Sequence, residues 1–248
     1  MFEPTVRDGV LCVAAPGARW LQTGVSGGLR DADAAYNLTV PEGFSRTDVT
    51  RYVGERLDRA GFDDRGPALL TGVSMDHARG ARSGDVVVYA TAGLSNPAAL
   101  PMPPAESAPT GVTQRGRDTT HHYGTVNLLV GTARALDDSA LVELLSTAVE
   151  AKAATLIDAA GVPGTTSDAV AVGCDPGGDP APFCGSGTDV GADARACVRE
   201  AVRAALDARY PDGDLPGGPD EAEYGTRTDR RSEVFRMETE AAHDQHEP

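Results

Sequence analysis

Residues 138–173 read DSALVELLSTAVEAKAATLIDAAGVPGTTSDAVAVG, a helix, a turn and a strand in succession. At about 100° per residue, Leu141, Leu145, Ala148, Val149, Lys152, Thr155, Leu156 and Ala159 fall on one helical face. Gly161, Val162 and Pro163 stop that helix. Gly164, Thr165, Thr166 and Ser167 form a glycine-hydroxyl turn, and residues 168–173 (DAVAVG) are a short apolar strand entered from it. The same helical count directs Lys152 towards the core. Glu150 lies roughly opposite, because residues two apart on a helix do not face each other.

Lys152 is the only lysine among 22 basic residues of a 248-residue chain that also carries 37 acidic ones, for a formal charge of -15. Such a balance argues against nucleic acid or an anionic membrane as a partner. Abundant Asp, Ala, Gly and Val with few aromatics suggest a halophilic protein whose acidic surface is relieved by salt screening; the alternative is an ordinary acidic mesophilic protein. Cys12, Cys174, Cys184 and Cys197 form no Cys-x-x-Cys pair, so they read as buried small hydrophobes or free thiols, with no metal framework. No apolar run of about 18 residues and no signal-peptide pattern is visible, and a cytoplasmic location is expected.

Outward from the central stretch, strands are expected at residues 10–15, 20–25, 36–40, 68–73, 85–92 and 123–130. Residues 48–60 read as a helix capped by Thr47 and ended by Gly61, and residues 191–210 as a last helix. Residues 97–120 are rich in Pro, Gly, Ser and Thr without periodicity and read as a long loop. Helices that sit among groups of strands, without strict alternation, indicate an α+β layered fold with mixed sheets and a few long helices. A single domain over residues 1–210 is expected, followed by an acidic, loosely ordered tail over 211–248.

A lysine on a buried face must snorkel outward, find a carboxylate, or have its pKa lowered. Asp168 is the preferred partner. The turn ahead of Asp168 offers backbone donors, hydroxyls and a carboxylate, the parts that could hold an anion or an oxyanion. It could equally be a plain turn satisfying itself. Asn127, a polar residue in an apolar run, either bonds nearby backbone or meets a ligand. His121 and His122 on the long loop, and Asp76 with His77, are weaker candidates for acid-base work. No P-loop, Gly-x-Ser-x-Gly elbow or His-Glu-x-x-His helix is present.

Several segments in order carry a family resemblance: residues 21–28 (LQTGVSGG) with Asn37, residues 70–75, 91–96 (TAGLSN), 124–127 (GTVN), 150–152 (EAK), 167–169 (SDA) and 185–191. Together, over roughly residues 10–208, the chain resembles the adenosylcobinamide amidohydrolase family. Two departures stand out. Gly185-Ser186-Gly187-Thr188-Asp189 replaces the family's frequent Gly-Thr-His-Thr-Lys, and Ser167-Asp168-Ala169 replaces Thr-Asp-Ala.

The resemblance implies hydrolysis of the aminopropanol amide of adenosylcobinamide to adenosylcobyric acid, a step of corrinoid salvage towards cobalamin. It implies no catalytic metal or organic cofactor, the cobalt belonging to the small-molecule corrinoid substrate; a homo-oligomer is left open. Joined to that reaction, Lys152, Asp168, Ser167 and Thr166 are the catalytic candidates. Water activated by Asp168 or by a deprotonated Lys152 competes with Ser167 or Thr166 as a covalent nucleophile, and the Gly-Thr-Thr backbone is a candidate oxyanion site. Asn96, Asn127, Glu150, Thr165, Ser95, Asn37, Gly185 and Thr188 are the substrate-binding candidates. A corrinoid carrier without hydrolysis, or an amidase of other substrates, are the alternative functions.

Overall fold

The structure, a computed structural model, describes residues 1–102, 112–115 and 124–237. The chain opens with strands β1 (Glu3–Arg7), β2 (Val10–Ala14), β3 (Arg19–Gln22), β4 (Gly28–Asp31) and β5 (Ala34–Thr39). Helix α1 (Val49–Ala60) leads to β6 (Ala68–Thr71), β7 (Arg79–Ser83) and β8 (Val86–Ala92). Then come β9 (Ala98–Ala99), β10 (Val112–Arg115), β11 (Val126–Thr132), α2 (Asp138–Ala160), β12 (Ala169–Cys174), α3 (Asp189–Arg209) and β13 (Gly225–Thr228). They form a four-stranded sheet β1-β2-β5-β6, a six-stranded sheet β4-β3-β12-β11-β8-β7, and a small sheet β10-β13-β9. The fold is α+β, as its sequence pattern indicates.

Strand alternation explains the layering. Val86, Val88 and Ala90 of β8, Val126, Leu128 and Val130 of β11, and Val170 and Val172 of β12 pack with Leu141, Leu144, Val198 and Val202 of α2 and α3. The odd-numbered residues Val87, Leu129, Ala169 and Ala171 point the other way, onto Leu11, Val13, Ala35 and Leu69 of the four-stranded sheet. The far face of that sheet, through Val10, Cys12, Tyr36 and Leu38, receives Val53 and Leu57 of α1. Each apolar surface is thereby covered, giving α1, sheet, sheet, then α2 with α3. Burial on both faces is why β8, β11 and β12 read as continuous apolar runs.

Between the sheets, Gly131 and Gly173 are register neighbours on β11 and β12. A Cβ at Gly131 would run into the ring of Phe2, and one at Gly173 into Trp20 at 2.6 Å. The two aromatic rings meet edge to face at 5.5 Å. Two absent side chains thus make room for the two fully buried aromatic rings of the inter-sheet layer.

Several local expectations change. Thr47 does not cap α1: Asp48 occupies that position without a side-chain capping bond, its carboxylate instead holding Arg46. Residues 97–120 are not all loop, since Ala98–Ala99 and Val112–Arg115 are strands. β1, β4 and β7 are mostly exposed edge strands whose polar composition hides the period of two. On α2 the buried arc includes Leu144, Thr147 and Ala151, while Val149 is 39 % exposed. Packing against both β12 and α3 rotates that arc relative to the one counted from apolar residues alone. Within residues 211–248, β13 pairs antiparallel with β10 and parallel with β9. His121, His122, His243 and His246 lie outside the described residues.

Candidate active site

The geometry begins with α2. The Asp137 side chain accepts from the Ala140 amide at 2.8 Å and fixes the start of the helix; Gly161, left-handed at φ 68°, ends it. Fifteen residues into this frame Lys152 lies under the edge where β11 and β12 begin, only 6 % exposed. Its ammonium pairs with Asp168, whose side chain is 11 % exposed. Asp168 precedes β12 and, being even-numbered, shares the helix-facing side of the sheet with Val170 and Val172. Of the fates open to a buried lysine, pairing with that carboxylate is the one observed.

Asp168 has no acceptor capacity left. Oδ1 accepts from the Val126 amide at 2.8 Å and from the Thr165 hydroxyl; Oδ2 accepts from Lys152 and from the Thr165 amide at 3.1 Å. A carboxylate has about four lone-pair directions, and four donors fill them. Gly164 closes the arrangement: a Cβ there would stand 2.5 Å from Asp168 Oδ2 and 3.1 Å from Lys152 Nζ. The pair therefore ties α2, β11 and the turn before β12 into one unit, and Asp168 can serve a water only by giving up one of these bonds.

What the turn presents outward is hydroxyl. Thr166 and Ser167 are exposed. Ser167 Oγ donates to the Gly124 carbonyl at 3.4 Å. Thr166 Oγ1 accepts from Asn96 Nδ2 at 2.6 Å, and its amide donates to the Asn96 carbonyl at 3.2 Å. Asn96 is 1 % exposed, with Oδ1 buried and without a partner among the described residues. Ser95 beside it is half-buried. On the other flank Thr23 is exposed, its hydroxyl accepting from the Val170 amide at 3.0 Å and its own amide donating to the Val170 carbonyl at 2.9 Å. Thr23 was not among the sequence candidates, although it stands in the LQTGVSGG segment.

For Asn127 the backbone-bonding alternative is the one observed, and Asn37 is drawn in with it. Both face the inter-sheet layer, 2 % and 0 % exposed. Asn127 donates to Asn37 Oδ1 at 3.0 Å and to the Leu70 carbonyl at 2.9 Å, and accepts from the Ala169 amide at 3.1 Å. Asn37 in turn donates to Thr91 Oγ1 at 2.9 Å. They form a satisfied polar staple between the sheets, with no surface for a ligand.

Glu150 is exposed and pairs with Arg195 of α3. Gly185 and Thr188 lie beside Glu143 and Thr147, near the start of α2: the Cys184 amide donates to Glu143 at 2.6 Å, and the Thr147 hydroxyl to the Cys184 carbonyl at 3.1 Å. Lys152 is nine residues beyond Glu143, about 13 Å along the axis at 1.5 Å per residue. Thr188 caps α3, accepting from the Gly191 amide at 3.0 Å. Asp76 sits in a surface turn where Ser74 bonds its carboxylate at 3.0 Å, with His77 beside it.

The cysteines are free and buried. Burial raises all four thiols, those of Cys184 and Cys197 to about 11. Among the described residues no three His, Cys, Asp or Glu side chains converge as a metal-ligand set, and no helix is long and apolar enough to cross a membrane.

The segments that meet here belong to a recognisable set. A family model described as adenosylcobinamide amidohydrolase matches residues 2–213. The chain belongs to the adenosylcobinamide amidohydrolase family. An adenosylcobinamide amidohydrolase of Halobacterium salinarum is 55 % identical over 245 residues, covering 95 % of this chain and 100 % of the relative. One of Methanosarcina mazei is 25 % identical over 199 residues, 76 % of this chain and 90 % of the relative. The acidic, lysine-poor composition accords with the Halobacterium source of the first. Of the segments that carry the family resemblance, all but residues 185–191 gather about one end of the central strands β8, β11 and β12, with Asn37 and residues 70–75 reaching it from the four-stranded sheet. There Val126 pairs with Ala92, Asn127 with Ala169 and Gln22 with Ala171.

Proposed function

We propose that this chain hydrolyses the aminopropanol amide of adenosylcobinamide in corrinoid salvage. Water adds to the amide carbon, the C–N bond breaks, the amine leaves with a proton, and adenosylcobyric acid is released. The observation that carries this reading is the near-complete family match, made local by the convergence of its segments on the Thr166-Ser167 edge.

In this reading the labour is divided. Thr166 and Ser167 are the groups that touch the substrate, their hydroxyls polarising the scissile carbonyl and meeting the corrinoid's peripheral amides. The amides of Thr165 and Thr166 are spent on Asp168 and Asn96, so the oxyanion role of those two amides passes to the hydroxyls, with Ser95 and Thr23 on the flanks. Lys152 and Asp168 are positioning residues that hold those hydroxyls in place. Thr165 and Asn96 work with them, one bonded to each side of the turn. This scheme assigns no step to a resident metal or organic cofactor, and cobalt enters with the substrate.

Purified protein in high salt, incubated with adenosylcobinamide, should yield equimolar adenosylcobyric acid and aminopropanol. The Ser167→Ala/Thr166→Val double variant should retain the fold and lose most turnover. Undiminished turnover in that variant would remove the hydroxyls from the chemistry.

A further inference from the structure

The family-wide match ends at residue 213, yet the chain beyond it returns to the candidate site. The Tyr224 amide donates to the Ser95 carbonyl at 3.0 Å, and the Thr226 amide to the Pro97 carbonyl at 2.9 Å. β13 then continues parallel to β9, with Thr226 opposite Ala98 and Arg227 opposite Ala99. Gly225, at φ 152°, fits where a Cβ would stand 2.9 Å from Pro219 and 3.0 Å from the Pro97 carbonyl. A little earlier, the Tyr210 hydroxyl accepts from the Leu94 amide at 2.8 Å.

The loop gripped on this side grips the hydroxyl turn on the other. Asn96 holds both the amide and the hydroxyl of Thr166, the Ala98 amide donates to the Gly164 carbonyl at 2.9 Å, and Pro97 bridges to Thr165. Residues 94–99 thus lie between the C-terminal segment and the substrate-facing turn, bonded to both. The match to the Halobacterium relative spans 95 % of the chain and therefore extends past residue 213 into this segment.

We propose that residues 214–228 are a positioning strap for the hydroxyl turn, acting through the main chain of Tyr224 and Thr226 on residues 95–97 and through Asn96 on Thr166. This rests on the amide hydrolysis proposed above. A displacement of the order of 1 Å at a reacting group can cost about a hundredfold in rate, so releasing the strap should be felt in the chemical step. A tail that only shields surface would affect stability and leave kcat alone.

Two variants in the full chain test it. Thr226→Pro deletes the N–H given to Pro97 and sets a ring against that carbonyl; Gly225→Val forces the close contacts with Pro97 and Pro219. Both are assayed on adenosylcobinamide well below the melting temperature, with hydrogen exchange of the Thr166 amide followed in parallel. The strap predicts kcat at least tenfold lower in each, KM within about twofold, and exchange at Thr166 at least tenfold faster. Wild-type kcat and wild-type Thr166 exchange in both variants would overturn it, as would a change confined to KM or a fall in kcat without faster exchange. Should the native protein fail to turn over while Thr166 exchange still accelerates in the variants, the reaction is refuted and the strap stands.

Discussion

Replacing Lys152 with methionine keeps the length and apolar stem of the side chain and removes only its charge and donors. In the native protein the ammonium is one of four donors to Asp168, beside the amides of Val126 and Thr165 and the Thr165 hydroxyl. Breaking a buried ion pair costs about 3–5 kcal/mol because the surviving charge is left buried. With three donors still on the carboxylate, Lys152→Met belongs near the lower end, about 3 kcal/mol. Asp168→Asn is worse. Whichever way its amide is turned, the NH2 group confronts a donor that cannot reverse, either Lys152 with the Thr165 amide or the Val126 amide, and the ammonium loses its counter-charge. A loss of about 5 kcal/mol follows, a large part of a typical net stability of about 5–15 kcal/mol.

Urea unfolding at fixed KCl reads both values. Because the pair is enclosed, the differences should be nearly the same at low and high KCl, unlike those of surface pairs. A Lys152→Met protein within about 0.5 kcal/mol of wild type, or a reversed order of the two variants, would refute the account of this pair as the tie between α2 and the turn.

Three further outcomes follow from the same geometry. Gly164→Ala places a methyl 2.5 Å from Asp168 Oδ2 and 3.1 Å from Lys152 Nζ; it should lower stability by roughly 2 kcal/mol, read by urea unfolding, and should reduce turnover of adenosylcobinamide. Asn127→Leu strands Asn37 Oδ1, the Leu70 carbonyl and the Ala169 amide; melting should fall by an amount equivalent to about 3 kcal/mol or more, whereas a raised KM with unchanged melting would return Asn127 to the substrate. The thiols of Cys184 and Cys197, pushed by burial from 9.0 to about 11, bind protons more tightly folded than unfolded. Their contribution is full below the unfolded pKa, so unfolding free energy should decline between pH 9 and pH 11, and Ellman's reagent should find no native thiol at pH 8.

The sequence announces what depends on local period and misses what depends on neighbours. Lys152 was legible as a core-facing lysine with Asp168 as its partner because a helical count fixes direction and a single lysine in a buried arc demands compensation. The continuous apolar runs of β8, β11 and β12 likewise announced strands covered on both faces. Asn37 and Asn127 illustrate the opposite case: their family context suggested ligand contact, but strand parity turns them into the inter-sheet layer, and only the partner sheet reveals that they satisfy each other. For Asn127 the odd offset from Asp168 becomes informative only once the register of β11 and β12 is fixed; Asn37, on the other sheet, has no such link to Asp168. Thr188 and Gly185 share the glycine-hydroxyl character of residues 164–168, yet chain topology places them along the N-terminal half of α2. The strap formed by β13 has no apolar pattern to announce it, since its attachment is through main-chain amides.

In the proposed reaction a hydroxyl-lined turn, held by the Lys152-Asp168 pair, carries out amide hydrolysis on a corrinoid. Its most direct test is a time course of adenosylcobinamide with the purified protein in high salt, in water enriched in oxygen-18, with products resolved by mass spectrometry. The account predicts adenosylcobyric acid bearing one solvent oxygen in its new carboxylate, equimolar aminopropanol, and many turnovers per chain. Adenosylcobinamide recovered intact, whether free or retained on the protein as cargo, would contradict it.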